Sequence, residues 1–398
     1  MKILFLISTL ANGGAERAMS NITMHLPDGV EADILINSIS DHDFPTRARI
    51  ISLGMKPERK MGMLYQVEAN IKRIIETRKL KKENNYDACI SFMDSANMCN
   101  ILTGNKCCKT IVSVRVSVIQ DKTFMYRFLV KPMVRLLYNR ADYVAAVAAG
   151  IKNELIEDLG IIPDKVRTIT NGYDVSQIWE QAQELLELPC IPDLSIKYVY
   201  VTVGRYTSQK AQWHLIRSFA QVAAQCNDTI LLIIGKGEEK EYLETLILRN
   251  GMENRIFLIP YRENPFAILN QCDVFVMPSM FEGYCNALCE ALICGLPCVA
   301  TDFQSSAREI LAPGTPCTYH IREGVEYAEY GVLTPVCSGT RYKGIEPLES
   351  AEQYLRDAMI SLYQDRDLMK KYQEQARKRG QQMDIEQKVQ EWLDLVHS

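Results

Sequence analysis

Short apolar runs alternate with helical stretches along this chain, and the whole alternation occurs twice. In the first half KILFLIS (2–8), ADILINSI (32–39), YDACISF (86–92), KTIVSV (109–114), YVAAVA (143–148) and KVRTITN (165–171) read as strands. Between them AERAMSNITMHL (15–26) has helical spacing, with Ala18, Ile22 and Leu26 on one face, and 63–83 predicts a long helix. In the second half IKYVYVTVG (196–204), TILLIIG (229–235), RIFLIP (255–260), VFVMPS (274–279) and PCVATD (297–302) are the strands, with helices over 212–225 and 238–250. Apolar runs of this kind, separated by helices, suit strands buried on both faces, so each half predicts a mostly parallel sheet covered by helices. The expected class is α/β: two similar open domains facing one another across a cleft, with ligands beyond the carboxyl ends of the strands.

The polar stretch 172–195, with Pro189 and Pro192 near its end, reads as a linker region. The expected domains are 1–175 and 176–375. The remainder, 376–398, ends in VQEWLDLV, where Val389, Trp392, Leu393 and Val396 form one apolar face, and is expected to pack back on the first domain.

Composition removes several function classes. A length of 398 residues suits two domains, and a net charge of −4 does not suggest a nucleic-acid partner. No apolar run reaches the ~20 residues that span a bilayer. The start, MKILFLISTL, passes into ANGGAERAM without a small-residue cleavage site and reads as a first strand, not as a signal peptide. Of 13 cysteines many lie in apolar runs (Cys89, Cys226, Cys272, Cys294, Cys298), as small buried hydrophobes do in a reducing compartment. Cys107 and Cys108 have no second pair at zinc-finger spacing, and the five histidines form no HxxxH or HxH group, so no metal centre is expected.

Four constellations carry chemistry. In LANGGAERAM (10–19), Gly13 and Gly14 stand between strand and helix, where backbone can pass close to an anionic ligand, and Arg17 sits in the first helical turn against the dipole. In VGRYTSQKAQ (203–212), Gly204 ends a strand, Arg205 follows, and Lys210 stands five later. A guanidinium fork and a mobile ammonium together suit a diphosphate. In FEGYCNALCE (281–290), Glu282 and Glu290 flank a strand–helix turn, with Gly283 permitting close approach and Asn286 expected to cap the helix. A carboxylate can accept from both hydroxyls of a vicinal diol, so two carboxylates suggest two sugars. In LIIGKGEEK (232–240), Gly235 and Gly237 fit either a nucleotide contact or a plain turn.

These motifs, in this order, resemble the retaining glycosyltransferases of family 4, which have two facing Rossmann-like domains in the GT-B arrangement. The resemblance rests on Glu282-Gly283 with Glu290, CGLP at 294–297, Gly204-Arg205 with Lys210, GGAER at 13–17, and DFQSSAREIL at 302–311. The GGAER segment is typical of bacterial members that build capsule, O-antigen and related glycans. The resemblance implies that Arg205 and Lys210 hold the donor diphosphate, Glu282 meets the transferred sugar and Glu290 binds the ribose. Gly204, Gly235, Gly283, Tyr284, Cys285 and Asn286 would line the donor site, and Gly14 would approach the phosphate. Arg17, Asp94 and Arg115 are the acceptor-side candidates. Arg115 stands in IVSVRVSV, where many relatives have a histidine nearby; as a general base it would be poor because it stays protonated. Three departures bear on pocket shape: Ala211 after the lysine where glycine is usual, Tyr284–Cys285, and Ser305–Ser306–Ala307.

The resemblance implies transfer of a hexose or N-acetylhexosamine from a nucleotide sugar, UDP-linked, to a glycan acceptor carried on polyprenyl pyrophosphate, with retention. No cofactor is expected, the nucleotide sugar being a substrate, and no metal is required if the cations neutralise the leaving group. The cation-rich stretches 72–82 and 126–140 suggest docking on an anionic membrane surface, hence a cytoplasmic protein peripheral on the inner face of the plasma membrane. The alternatives are a non-catalytic scaffold for glycan assembly, which has no need of Arg205, Lys210, Glu282 and Glu290, and a UDP-sugar epimerase-like enzyme, against which the histidine-poor first half argues.

Overall fold

The computed structural model describes residues 1–11, 13–55, 63–117, 128, 131–184, 191, 193–344 and 346–398. The chain divides into two compact units, Met1–Tyr173 with Asp384–Ser398, and Asp174–Met383.

In the first unit the described strands are β1 (Lys2–Leu6), β2 (Glu31–Ile36), β3 (Arg49–Ser52), β4 (Ala88–Phe92), β5 (Lys109–Val114), β6 (Tyr143–Ala146) and β7 (Val166–Thr168), in the sheet order β3-β2-β1-β4-β5-β6-β7. All neighbours are parallel. β4 is buried along its whole length, as the uninterrupted apolar run requires. Edge strand β3 is not among the expected strands: RIIS is short and mostly exposed, and its place is fixed by Arg49, which donates twice at 2.8 Å to the buried Asp33 carboxylate on β2.

The second unit repeats the plan with β8 (Tyr198–Val203), β9 (Thr229–Gly235), β10 (Ile256–Pro260), β11 (Val274–Met277), β12 (Cys298–Thr301), β13 (Glu326–Tyr327) and β14 (Val332–Thr334), ordered β10-β9-β8-β11-β12-β14-β13. Of the pairings between its described strands, only the short β13–β14 pairing is antiparallel. Both sheets are therefore Rossmann-like. In each, the strand order reverses once at the centre, between β1 and β4 and between β8 and β11. At such a reversal the loops leave in opposite directions and open a crevice beyond the strand ends.

The boundaries differ in detail from those read in the sequence. The stretch 172–195 is not simply a linker: Asp174 accepts from the Gln177 amide at 2.8 Å and caps the helix Val175–Ala182, which belongs to the second unit. The segment 376–398 is split. The helix Arg366–Gln381 stays in the second unit, and the chain then returns so that the helix Ile385–His397 lies in the first. There Trp392 packs 5.5 Å from the Phe92 ring, and Lys109 donates to the Val396 carbonyl at 2.7 Å.

The helix Met63–Glu83 buries polar and charged side chains and leaves several apolar ones exposed. Its inward face carries Ala69, Arg73, Thr77, Leu80 and Lys81, whereas Val67, Ile71 and Ile75, spaced four apart, are exposed. Arg73 reaches Asn37 Oδ1 at 2.7 Å, Ser8 Oγ at 3.1 Å and Ser95 Oγ at 2.6 Å. Lys81 donates to Asn100 Oδ1 at 2.8 Å and to the Gly104 carbonyl at 3.0 Å. Two cations of 72–82 are thus internal, because a buried cation must find oxygen partners and these loops supply them. Of 126–140, residues 126, 127, 129 and 130 lie outside the described residues; the helix Lys131–Leu137 buries Val134 and Leu137 and exposes Leu136. Among the described residues no helix is long and apolar enough to cross a membrane.

Candidate active site

The crevice between β8 and β11 gathers most of the expected donor residues. β8 ends at Val203, and Gly204 lets the Lys210 stem lie across the strand end: a Cβ there would stand 3.2 Å from Lys210 Cε. Gly235 closes β9 against the same turn, since its Cβ would fall 2.0 Å from the Gly204 carbonyl oxygen. That contact explains the glycine by packing between neighbouring strand ends. Between Gly204 and the helix Gln212–Gln225 the chain makes a tight turn, with the Lys210 amide donating to the Thr207 carbonyl at 3.1 Å and Gln212 Nε2 to the Arg205 carbonyl at 2.9 Å. Ala211 stands at the helix start with φ of +48°. The left-handed backbone is the physical reason a glycine suits this position, and the alanine adopts it at a steric cost.

From the other side of the reversal, the loop after β11 brings Glu282. Its carboxylate is nearly buried and fully engaged. Lys210 Nζ lies 2.7 Å from Oε1, Ser279 Oγ donates to Oε1 at 2.8 Å, and Gln209 Nε2 donates to Oε2 at 3.1 Å. The Met280 amide, donating to the Gln209 carbonyl at 2.9 Å, ties the two loops together. Burial alone would lower the Lys210 pKa; the Glu282 carboxylate outweighs it and leaves the ammonium above its ordinary value, so it is charged at neutral pH. Arg205 is exposed beside this pair, close enough that its charge acts on Lys210.

Gly283, Tyr284 and Cys285 lead from Glu282 into the helix Asn286–Ile293. Cys285 holds the cap position and makes no side-chain cap hydrogen bond, so Asn286, expected as the cap, is instead the first helical residue. The helix start keeps amide groups without a side-chain cap, in the crevice where an anion would lie. Glu290 follows one turn later and is buried. Burial pushes the Cys285 thiol up to about 12, with Glu282 and Glu290 adding to the shift and Lys210 opposing it; the thiol is neutral and no nucleophile. Gln209 and Ser279, which hold Glu282, are the residues sequence reasoning missed; their only signal is adjacency to Lys210 and to the end of β11.

The DFQSSAREIL segment is an anchor. Arg308, almost fully buried, donates to Asp302 Oδ2 at 2.6 Å and to Glu326 at 2.8 and 2.9 Å, while the Ile321 amide donates to Asp302 at 2.8 Å. Ser305, where the family pattern has a glycine one position later, has φ of +93°.

In the first unit the candidates follow the strands around the other reversal. Gly13 and Gly14 follow β1 and open the helix Gly14–Met24, which has no side-chain cap. Glu16 folds its carboxylate against Gly13, so near that a Cβ at Gly13 would lie 1.9 Å from it. The helix start expected to face an anion thus has a carboxylate of its own nearby. Arg17 is half-buried in the first turn. Asp94 opens the helix Asp94–Thr103 after β4 and accepts from the Tyr138 hydroxyl at 3.0 Å. Arg115, after β5, is buried, donates to Asn171 Oδ1 and stacks 4.5 Å from the centre of the Phe92 ring. Burial pulls its guanidinium down to about 10, against the opposing pull of Tyr173 and Glu16, which leaves it a cation at neutral pH.

Among the described residues, the His, Cys and acidic side chains close enough to share an ion are His214, Cys337 and Glu349, none of which belongs to the set around Glu282.

Comparison with known proteins bears on both units. The family model for glycosyl transferases group 1 matches residues 194–329, and that for glycosyltransferase family 4 matches residues 12–177. An uncharacterized glycosyltransferase of Methanocaldococcus jannaschii is 30% identical over 341 residues, covering 82% of this chain and 83% of its own. The N-acetylgalactosamine-N,N'-diacetylbacillosaminyl-diphospho-undecaprenol 4-alpha-N-acetylgalactosaminyltransferase of Campylobacter jejuni is 27% identical over 315 residues, 78% of this chain and 83% of its own. A UDP-Gal:alpha-D-GlcNAc-diphosphoundecaprenol alpha-1,3-galactosyltransferase of Escherichia coli is 24% identical, covering 70% of each chain. Among solved structures, Anabaena HepE in complex with UDP superposes with a TM-score of 0.73 over the whole of both chains at 19% identity, a likeness of fold.

Proposed function

This chain belongs to the group 1 glycosyltransferases of GT-B fold, and on that premise we propose that it moves a hexose or N-acetylhexosamine from a UDP-sugar to a diphospho-lipid-linked glycan, with retention at the anomeric carbon. The observation that carries this is the Lys210–Glu282 pair at 2.7 Å, set at the reversal of the second sheet with Arg205 exposed beside it. A departing nucleoside diphosphate develops negative charge where Arg205, Lys210 and the amides opening the helix Asn286–Ile293 converge. Glu282, oriented by Ser279 and Gln209, meets hydroxyls of the transferred sugar, and Glu290 those of the ribose. Cys285 stays a neutral thiol and the carboxylates are committed to binding, so we favour front-side displacement: the acceptor oxygen attacks from the face the diphosphate leaves, and the diphosphate takes its proton.

Two relatives whose names specify diphospho-undecaprenol-linked sugars support this acceptor. Arg17, Asp94 and Arg115 are the residues of the first unit assigned to that side. The exposed apolar row Val67, Ile71 and Ile75, flanked by Lys72, Lys79 and Lys82, supports contact with an anionic membrane surface bearing such a substrate, on the cytoplasmic face. A scaffold without activity would not need a charged, nearly buried lysine held by a carboxylate. The test is a screen of nucleotide sugars for release of nucleoside diphosphate, with and without an undecaprenyl-diphosphate-linked glycan. Acceptor-dependent release supports the reading; no release with any donor returns the scaffold, and an altered sugar without acceptor returns the epimerase-like enzyme.

A further inference from the structure

We propose that His214, Cys337 and Glu349 bind a zinc ion that ties the irregular residues 335–344 and Glu349 to the helix Gln212–Gln225. The three candidate ligand atoms, an imidazole nitrogen, a sulfur and a carboxylate oxygen, lie within 4.8 Å of one another. His214 is fully buried, and its Nδ1 sits 2.7 Å from Glu352 Oε1. The carboxylate accepts, so Nδ1 carries the proton and Nε2 presents a lone pair. Nε2 is buried and has no hydrogen-bond partner in the structure. A buried basic nitrogen in that state is costly unless something accepts its lone pair.

A carboxylate holding the far nitrogen is the support that fixes ring orientation and raises ligand basicity in metal–imidazole sites. Glu352 is itself held: Arg217 donates to it at 2.8 and 3.1 Å, and the Glu349 amide donates to it at 3.0 Å. The other two ligands are placed with similar care. Cys337 is 4% exposed, and the Glu349 carboxylate accepts from the Ser338 amide at 2.7 Å, the Ser338 hydroxyl at 2.5 Å and the Tyr342 hydroxyl at 2.8 Å, so one hydroxyl must turn aside for an oxygen to reach the ion. Nitrogen, thiolate and carboxylate together suit a borderline-soft divalent ion, and zinc takes all three. Tetrahedral zinc needs ligand atoms about 3.5 Å apart, so the set must draw in by roughly 1 Å, with water in the fourth position. On binding, the Cys337 thiol proton passes to solvent.

The site has something to hold. Residues 335–344 carry no regular secondary structure, yet Trp213 Nε1 donates to the Thr340 carbonyl at 3.0 Å and Arg217 stacks 3.8 Å over the Tyr342 ring. A metal bridge would fix both ends of this loop on one helix, whose amino-terminal turn follows Lys210.

The test is metal content and a cobalt spectrum on the full-length protein. Protein produced with zinc should retain about one equivalent after dialysis, and removing it should lower the unfolding temperature. The cobalt-exchanged protein should show a thiolate-to-cobalt charge-transfer band. Cys337→Ser should abolish that band, Glu349→Gln should weaken cobalt affinity, and Cys107→Ser, at an exposed cysteine, should leave both unchanged. Lack of metal uptake by the unaltered protein overturns the proposal and leaves a plain imidazole–thiol contact; a band that survives Cys337→Ser does so equally.

Discussion

Lys210 Nζ and Glu282 Oε1 stand 2.7 Å apart, so the side chains assigned to the diphosphate and to the sugar hold each other. Their tasks are coupled: the carboxylate keeps the lysine charged and also tempers its positive field. Glu282→Gln is therefore expected to keep or tighten binding of free UDP while lowering turnover at least ~10-fold. Glu290→Gln should weaken UDP binding itself. Calorimetry on both variants checks the division; equal losses of UDP affinity would dissolve it.

The exposed row Val67, Ile71 and Ile75 should matter for membrane contact and not for folding. Vesicles containing phosphatidylglycerol are expected to co-sediment the protein, less in high salt because exposed charges are screened within ~8 Å. Ile71→Asp with Ile75→Asp, or Lys72, Lys79 and Lys82 to glutamate, should release it without changing the unfolding temperature. Lys81→Ala should instead destabilise the fold, because its ammonium is internal. Equal sedimentation with neutral vesicles would refute electrostatic docking.

The Asp302–Arg308 pair makes a stability prediction with a definite sign. Burial alone would raise the Asp302 pKa, but the nearby His320 ring, 3.6 Å away, and the hydrogen-bonded Arg308 guanidinium outweigh it and hold it below its ordinary value. A carboxylate depressed in the folded state contributes stability that is fully present above its unfolded pKa and lost as pH falls through the folded one. Asp302→Asn should cost about 3 kcal/mol at neutral pH, since Arg308 loses its buried partner. The difference from the unaltered protein should hold to about pH 5 and shrink below it. Thermal unfolding across that range measures it; a gap that stays constant to pH 3 would contradict the assignment.

The alternation of apolar runs and helices made the two parallel sheets legible, and the strand-end motifs made the second crevice legible, because both are local in the chain. What was not legible depends on distant partners. Arg73 and Lys81 read as surface cations because nothing near them in sequence announces Asn37, Ser95 or Asn100. Asn286 read as a helix cap because capping preference favours asparagine; the loop places Cys285 there instead. His214, Cys337 and Glu349 converge only after α/β winding, so no spacing rule finds them.

Chelation separates two kinds of metal dependence. In the proposed mechanism Arg205, Lys210 and helix amides neutralise the leaving group without an ion, so the rate measured immediately after adding EDTA should be unchanged. Long exposure that strips a site at His214 should lower the unfolding temperature, with zinc restoring it. An immediate loss of activity reversed by magnesium or manganese would mean that a metal takes part at the diphosphate.

The most direct measurement is on Arg205, which is exposed and whose replacement leaves the core untouched. Steady-state transfer by Arg205→Ala, compared with the unaltered protein at matched unfolding temperature, should fall at least ~100-fold, the scale of one lost transition-state contact. UDP binding by calorimetry should weaken in parallel. A folded Arg205→Ala protein with near-full activity and unchanged UDP affinity would contradict the placement of the leaving diphosphate at the β8–β11 crevice.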